Sequence, residues 1–550
     1  AAIVPLVYWF IQHKVHVVAG AYSIYAYFEW ALILLDVAFD AFSAIAFENI
    51  EIVITTAGAL VEFEPTTAVL EKKKKTLAST ANTFCSVEFV VNTINAYTFW
   101  TLATSLFLTV WYFPLWYMGL SGWEAVVAVY FAAPLVLVVP PVRKFFTAFP
   151  FVARSTAVII GLGSYKSEDP EKRLLLITVG TAFALIAFVS EVNAHALAPQ
   201  KLKSLAVSTV VGLLATSVLK FSNYSNNPVW PVMNAENGGW NATGIFVGLA
   251  AAFVTPSLKT VSQTRSALNS GSFILAALGV GGYFFCLQSY LSDSGTLASW
   301  TWEGFPVQGP TAITAAIPHF AAISLGVLAS IKISDSNLSG SVWTVGGILG
   351  AFVLYAYPNW TGFNGSLVFV FWLASIGPII FESASGFNPG LLFFTAFLID
   401  IFISLASIWI VAYAFVPYGP LLRERTDIVL GLGVFTTSLG VLNYRLKHKN
   451  DGHLLTSVGP LLKQALTILS VLLALSVAIT FKRTPVSPHQ PFNKDSKSFT
   501  TGIWCVHFGL DNDMWSSETR MLNLLREAEV DIVGLLESDT QRLIGGNRDF

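Results

Sequence analysis

Charged residues are scarce in this chain of 550 residues, in which Asp, Glu, Lys and Arg together make up only 12%. That scarcity, with a mean hydropathy of +0.64, excludes an ordinary soluble protein. Cysteines are also few: Cys85, Cys286 and Cys505 lie far apart, which excludes a disulfide framework and a zinc-finger spacing. We expect them to be isolated buried thiols. The net charge of −2 is uninformative, and no nucleic-acid partner is expected, because no motif in the sequence resembles a nucleic-acid-binding footprint.

Apolar stretches are abundant instead, and hydrophobic residues make up 54% of the chain. A bilayer-spanning helix needs about 20 apolar residues. The sequence therefore predicts an all-α polytopic membrane protein with roughly a dozen or more transmembrane helices. The predicted helix cores are residues 99–113, 125–139, 145–163, 174–192, 205–221, 244–256, 272–290, 311–331, 342–357, 367–381, 391–416, 428–442 and 461–479.

A stripe of ionisable side chains marks the amino-terminal apolar segment. At 100° per residue, Glu29, Asp36 and Asp40 fall on one helix face. A carboxylate near mid-membrane costs about 2.5–3.5 kcal/mol, so such a stripe needs a polar interior or a wet cavity. It either surrounds a lipid headgroup or a partner helix, or only holds neighbouring helices together. The intramembrane candidates are His13, His16, Glu29, Asp36, Asp40 and, in a later segment, Asp400.

The arrangement of polar segments predicts the domain order and the topology. Residues 46–91 form a polar linker whose run Lys72–Lys75 indicates the cytosolic side. Thirteen crossings then place the carboxy-terminal domain in the lumen, together with the glycosylation sequons at Asn223, Asn241, Asn359 and Asn364. The predicted units are 1–45 (membrane unit), 46–91 (linker), 92–481 (polytopic membrane unit), 482–500 (tether) and 501–550 (start of an α/β domain).

The last fifty residues carry the candidate chemistry. A strand over 503–508, a helix capped by Ser516 or Ser517, and a strand over 530–536 predict one β-α-β unit. Glu537 follows the second strand, and an acid at the carboxyl end of a strand is well placed to bind a metal. Asp511 and Asn512 either help to shape the same cleft or only form a turn. Because the chain begins at Ala1 and stops at Phe550 after one such unit, we expect it to be a fragment.

Three stretches resemble known families. "DIVGLLES", after a helix preceded by "IWCVHFG", resembles the opening of the endonuclease/exonuclease/phosphatase superfamily. "VHFGLDNDMW" resembles the carboxy-terminal domain of the fungal family that remodels glycosylphosphatidylinositol (GPI) anchors with ceramide and is named for calcofluor-white hypersensitivity. "YSIYAYFEWALILLDVAFDAFS" resembles the end of a DRAM-type GPI-attachment factor, and the long membrane unit resembles that factor's partner protein.

The resemblance implies a function and a location. The glycerolipid of GPI-anchored proteins would be replaced by ceramide through phosphodiester chemistry at the luminal membrane surface of the endoplasmic reticulum or Golgi, in support of the cell wall. The substrates would be GPI-anchored proteins and ceramide, and GPI-remodelling proteins would be partners. The alternative is a lipid transporter or scramblase, or a scaffold for a separate remodelling enzyme.

The resemblance also implies site roles. A divalent cation, Mg²⁺ in the superfamily, would be held by Glu537. His507 stands where most superfamily members have Asn, so it would contact the phosphate or assist proton transfer rather than bind Mg²⁺, which prefers oxygen ligands.

Overall fold

A computed structural model gives the structure of residues 68–109, 122–255, 271–411, 418–448, 459–486, 490–492 and 498–538, with isolated positions before residue 26. In the first of these ranges the side chains are described from Val87 onward. The predicted intramembrane candidates His13, His16, Glu29, Asp36 and Asp40 lie outside the described residues.

Helices dominate the described part of the chain, which confirms the predicted fold class. They are α1 (Ala68–Leu108), α2 (Gly122–Val136), α3 (Pro140–Ala148), α4 (Pro150–Thr156), α5 (Pro170–His195), α6 (Pro199–Ser222), α7 (Asn241–Val254), α8 (Phe273–Leu291), α9 (Ser294–Thr301), α10 (Ala312–Lys332), α11 (Asp335–Leu338), α12 (Ser341–Ala356), α13 (Asn359–Ser375), α14 (Gly377–Ala384), α15 (Pro389–Val411), α16 (Thr426–Lys447), α17 (Gly459–Arg483) and α18 (Glu518–Glu527). The strands are β1 (Thr501–Cys505) and β2 (Ile532–Leu536).

The described helices include seven that are long and apolar enough to cross a membrane. The number rises to nine if each of two bent pairs, α2 with α3 and α13 with α14, forms one span. Two shorter apolar helices, α7 and α12, lie beside them. The predicted count of about a dozen is therefore not confirmed within the described residues. The first long helix begins earlier than expected, since α1 starts at Ala68 inside the predicted polar linker.

Proline breaks two of the predicted apolar segments. Residues 145–163 were predicted as one helix core, but α3 ends at Ala148 and α4 starts at Pro150. Residues 367–381 are divided between α13 and α14, where Pro378 stands in the first turn of the new helix. Proline has no N–H to donate and disfavours helical geometry in the residue before it, so an unbroken helix is interrupted there.

Close helix packing builds the membrane core. Aromatic rings fill its centre: Phe99 of α1 stacks on Phe188 of α5 with ring centroids 5.0 Å apart. Glycines let helices touch elsewhere, because a Cβ on Gly279 of α8 would lie 2.2 Å from the Cα of Gly440 of α16. Lipid gives no hydrophobic driving force for association between helices, so close van der Waals packing has to hold them together. Small residues at the crossings make that close packing possible.

The carboxy-terminal β-α-β unit sits at one end of this bundle. That end also holds the ends of α6 and α17, where the Arg483 guanidinium donates to the Phe221 carbonyl over 2.7 Å. Asn241, one of the predicted sequon positions, lies at the same end. It is buried, and its side-chain amide donates to the Trp230 carbonyl over 2.9 Å.

Candidate functional site at the ends of the two parallel strands

Two parallel strands bring the predicted site residues together. β1 pairs with β2 in a register that sets Cys505 opposite Leu536, so both strands end at the same edge. Parallel strands present their carboxyl ends on one side, which is where ligands bind in α/β sheets. The predicted first strand, 503–508, was wrong at its end. β1 runs from Thr501 to Cys505, and a short 3-10 turn over His507–Gly509 replaces the last predicted strand residues.

Backbone hydrogen bonds keep the chain beside β2 after β1 has ended. The Val506 amide donates to the Leu536 carbonyl over 2.9 Å, and the Phe508 amide donates to the Glu537 carbonyl over 3.0 Å. His507, Phe508 and Glu537 have φ values of 46°, 54° and 57°. Such left-handed backbone costs about 1–3 kcal/mol per non-glycine residue and is concentrated at functional sites. The turn therefore holds His507 next to Glu537 at a local energetic cost.

Three side chains meet at this edge. The ligand atoms of Cys505, His507 and Glu537 all lie within 4.8 Å of one another. His507 Nε2 is 4.0 Å from Glu537 Oε2, and the two side chains are 55% and 43% exposed. The Glu537 carboxylate, hydrogen-bonded to the Cys505 thiol, raises the pKa of that thiol above its ordinary value. We call these three residues the strand-edge cluster, and solvent reaches all of it.

Cys505 was missed at the sequence level, and its prediction as an isolated buried thiol was wrong. The thiol is exposed and belongs to the strand-edge cluster, whereas Cys286 is buried as expected. The signal was present in the sequence as Cys505-Val506-His507, two potential ligands two residues apart at the end of a predicted strand. What the sequence could not supply was the pairing of β1 with β2, which brings Glu537 to them.

The donor set of this cluster does not match Mg²⁺. Mg²⁺ binds oxygen ligands in octahedral geometry, and the cluster provides one carboxylate, one imidazole and one thiol. Imidazole and thiol suit a softer ion such as Zn²⁺ better. Glu537 is the single side-chain oxygen donor of the cluster, so further oxygen ligands for Mg²⁺ would have to come from outside the cluster.

The predicted cleft residues Asp511 and Asn512 lie in the loop that follows. Asp511 Oδ1 accepts the backbone amides of Asp513 and Trp515 at 2.9 and 2.8 Å, and Oδ2 forms an ion pair with Arg520. Asn512 is exposed in the turn. The structure thus shows Asp511 organising its own loop, and its carboxylate is not part of the strand-edge cluster.

This loop docks on the membrane bundle. Met514 and Leu510 pack into an apolar cluster with Trp230 and Val232. The Ser516 amide donates to the Val232 carbonyl over 3.1 Å, which ties the loop to the bundle through backbone.

A buried arginine completes the contact. Arg173, at the start of α5, places its guanidinium 3.6 Å from the centroid of the Trp515 ring and donates to the Asp513 carbonyl. We call residues 510–517 the docking loop. The Asp531 carboxylate accepts the amides of Phe492 and Thr500, which joins the tether to the β-α-β unit. The docking-loop contacts hold that unit against the bundle end.

Among the predicted intramembrane acids, Asp400 is the one within the described residues. It is buried in α15, and the Ser404 hydroxyl donates to its Oδ1 over 3.4 Å. Sequence reasoning missed two buried ion pairs: Arg154 with Glu191, and Lys220 with Asp293 at 3.2 Å. Each pair joins residues 37 or more positions apart, so neither could be predicted from helical spacing.

Comparison with known families covers most of the chain. Residues 97–254 match the first transmembrane domain of PGAP2IP, residues 269–450 match the second transmembrane domain of PGAP2IP, and residues 496–550 match its C-terminal nuclease-like domain. Residues 1–50 match the Frag1/DRAM/Sfk1/Cwh43P N-terminal domain. These matches confirm the resemblances noted from the amino-acid sequence.

One curated relative aligns with the whole chain. Protein cwh43 of Schizosaccharomyces pombe is 33% identical over 597 residues, an alignment that takes in 100% of this chain and 60% of the relative. This chain therefore spans 60% of the length of that relative.

Two solved transporters show a weak structural likeness. The E. coli fucose:proton symporter is 12% identical with a TM-score of 0.44, over 65% of this chain and 98% of the symporter. A proton:xylose symporter of the major facilitator superfamily is 13% identical with a TM-score of 0.41, over 66% of this chain and 94% of the symporter. At these TM-scores the likeness carries no argument about the present protein.

Proposed function

We propose that this chain acts on GPI anchors and remodels them, replacing their glycerolipid with ceramide. Its similarity to protein cwh43 and its matches to the Frag1/DRAM/Sfk1/Cwh43P and PGAP2IP families support the proposal. The observation that carries the proposal is the strand-edge cluster: exposed Cys505, His507 and Glu537 gathered at the end of a nuclease-like domain docked on a membrane bundle. A site in that place has access to a lipid headgroup at the bilayer surface. The proposed substrates are GPI-anchored proteins and ceramide.

The proposed reaction is a phosphodiester exchange. The primary hydroxyl of ceramide attacks the phosphorus between inositol and glycerolipid, a new P–O bond forms, and the P–O bond to the glycerolipid breaks. His507 takes the proton from the attacking hydroxyl and returns it to the departing glycerolipid oxygen, so no proton is gained or lost overall. The Glu537 carboxylate, 4.0 Å from His507 Nε2, stabilises the imidazolium between these two transfers. No step is assigned to a divalent cation, because the described donors do not match Mg²⁺.

Glu537→Gln in the intact protein tests this proposal. Removal of the carboxylate is expected to lower ceramide-containing GPI anchors about tenfold or more, because an opposite charge within about 4–6 Å stabilises an ionised group by about 1–3 pKa units. Mass spectrometry of lipids released from GPI-anchored proteins gives the readout, with protein abundance measured in parallel. Glu527→Gln, an equally exposed acid at the end of α18, is the matched control. Normal ceramide anchors in the Glu537→Gln cells would reject the enzyme and favour transport or scaffolding.

We place the carboxy-terminal domain in the lumen of the endoplasmic reticulum. The run Lys72–Lys75 supports this, because it precedes Glu88 in α1, and Glu88 pairs with Lys201 at the bundle end opposite the docking loop. Arg445 and Lys447 lie at that end too, whereas Arg425 and Arg483 lie at the docking end. Positive residues concentrate on the cytosolic side of membrane proteins. Protection of residues 498–538 from protease in sealed microsomes is expected, and cleavage without detergent would reverse the orientation.

A further inference from the structure

A cavity with a polar wall lies inside the first half of the bundle, away from the strand-edge cluster. It is bounded by α1, α5, α6 and the segment that follows α4. Its volume is about 30 Å³, which is room for one or two water-sized groups. The stacked rings of Phe99 and Phe188 form part of its apolar wall.

The polar wall is built around a buried ion pair. Arg154 and Glu191 are each 6% exposed at the side chain, and the guanidinium pairs with the carboxylate. Arg154 also donates to the Thr255 hydroxyl over 2.5 Å, and the Asn95 amide donates to the same oxygen over 3.3 Å. Asn92 lines the cavity nearby. The wall therefore offers hydrogen-bond donors and acceptors while its two formal charges cancel.

Irregular backbone forms another side of the cavity. After α4 the chain makes a π-helical turn over Ala157–Gly161, and Ala157 and Val158 line the cavity. Single π-helical turns are rare and occur frequently at functional sites. This turn is fixed by close packing, because a Cβ on Gly180 of α5 would lie 2.2 Å from the Cα of Gly161. Two independent features, a buried charged wall and a π-helical turn, thus converge on one space.

We infer that this cavity binds the hydroxyl head of an uncharged lipid of the ceramide or diacylglycerol class. Room for one or two water-sized groups fits hydroxyl oxygens, which can replace water on the same donors and acceptors. A phosphate is larger, and it would lose its hydration beside the Glu191 carboxylate without a net positive charge to compensate. The aromatic wall suits the hydrocarbon next to such a head.

This site is distinct from the strand-edge cluster. Arg173, near the start of α5, contacts the docking loop, and Glu191 follows eighteen residues later on the same helix. At a rise of 1.5 Å per residue the two are about 27 Å apart along the helix axis. The inference does not rest on the proposed phosphodiester chemistry, and Glu537→Gln should leave lipid binding in the cavity unchanged.

Photocrosslinking in phosphatidylcholine nanodiscs tests the inference. The intact protein is exposed separately to photoactivatable ceramide, diacylglycerol and phosphatidate, and labelled peptides are mapped. We expect the two uncharged probes, or one of them, to label peptides of α1, α5 and α6 that line the cavity, while phosphatidate labels them at background. Ala187→Leu fills the cavity, so the lipid hydroxyl can no longer enter it and loses about one hydrogen bond. The labelling is expected to fall about tenfold.

Matched variants separate binding from folding. Val179→Leu adds a methylene on the exposed face of the same helix and should leave the labelling unchanged. If Ala187→Leu does not fold, as judged by size-exclusion chromatography, the smaller Ala184→Val provides the same test. Glu191→Gln leaves one net positive charge and should raise phosphatidate labelling relative to the uncharged probes. Equal labelling by all three probes in the wild type, or labelling that a folded cavity-filling variant does not reduce, would overturn the inference.

Discussion

The strand-edge cluster and the buried ion pairs of the bundle use similar residue types in opposite surroundings. At the strand edge, His507 and Glu537 are 4.0 Å apart and about half exposed. In the bundle, Lys220 and Asp293 are 3.2 Å apart and almost wholly excluded from solvent. A buried pair uses its charges on each other, because water no longer stabilises either one. An exposed pair keeps charge and lone pairs available to a substrate.

The comparison explains why side-chain identity alone did not locate chemistry in this chain. Asp400 has the profile of an intramembrane functional acid in the sequence, yet it is buried with the Ser404 hydroxyl of its own helix as donor. Cys505 was predicted to be an isolated buried thiol, yet it lies in the exposed strand-edge cluster. Access to solvent and to a second strand distinguishes the two, and both are properties of the folded chain.

The largest expected effect is the loss of stability when a buried ion pair is broken. Lys220→Met leaves Asp293 charged, buried and uncompensated, which is expected to lower the free energy of unfolding by about 3–5 kcal/mol. Thermal unfolding in detergent measures the loss. Lys203→Met is the control, since its partner Asp335 is 40% exposed and such pairs contribute about 0–1 kcal/mol. Adding Asp293→Asn to Lys220→Met should recover stability. Equal losses for the two lysines would remove the distinction between buried and exposed pairs.

The next largest effect concerns the junction between the two regions. Arg173→Met removes the guanidinium from the Trp515 ring and from the Asp513 carbonyl, contacts worth about 2 kcal/mol together. The docking loop should open more often, so that amide exchange at Ser516 accelerates by about 30-fold. Hydrogen exchange read by mass spectrometry gives the rate. Arg526→Met, on the exposed side of α18, should not change it. Unaltered exchange would mean that the apolar contacts alone hold the loop.

A smaller effect distinguishes the two roles considered for Asp511. Asp511→Asn keeps Oδ1 for the amides of Asp513 and Trp515 but removes the ion pair with exposed Arg520, a loss of about 0–1 kcal/mol. Ceramide remodelling should therefore fall by no more than a few fold. Ceramide anchors are quantified in Asp511→Asn and Glu537→Gln cells in parallel, so that the two losses can be compared directly. A loss of ceramide anchors as severe as that in the Glu537→Gln cells would indicate that Asp511 takes part in catalysis.

The mildest change is a test of the exposed cluster itself. The Glu537 carboxylate raises the pKa of Cys505, so at pH 8 the reactive thiolate is less populated than in an ordinary exposed cysteine. Glu537→Gln should lower that pKa and speed alkylation of Cys505 by iodoacetamide several-fold at this pH. The difference in alkylation rate should disappear once the pH exceeds the pKa of Cys505 in both the wild type and the variant. Cys286 is buried and serves as the unreactive reference in the same digest. Identical alkylation rates would show that the carboxylate does not act on the thiol.

Some elements could be predicted because their signal is local. The helices α5, α8, α10 and α17 follow the predicted segments within a few residues, since each carries a long apolar run that only a membrane accommodates. The β-α-β order was likewise predicted, and its strand ends were in error by a few residues. Left-handed backbone at His507 and Phe508 follows the end of β1. Histidine adopts this conformation more often than most residues, but phenylalanine gives no signal for it.

Composition and apolar periodicity by themselves determined that this chain is a helical membrane protein ending in an α/β unit. Both signals are local, because the hydrophobicity of each residue and the helical spacing of apolar residues can be read directly from the sequence. Tertiary structure alone decided which polar groups act together: Glu537 joined Cys505 and His507 through strand pairing, and Arg154 met Glu191 across two helices. Such contacts depend on the three-dimensional path between distant residues. Burial then determined what these groups can do. The solvent-exposed strand-edge cluster can react with a substrate, whereas the buried charges of Arg154 and Glu191 interact mainly with each other.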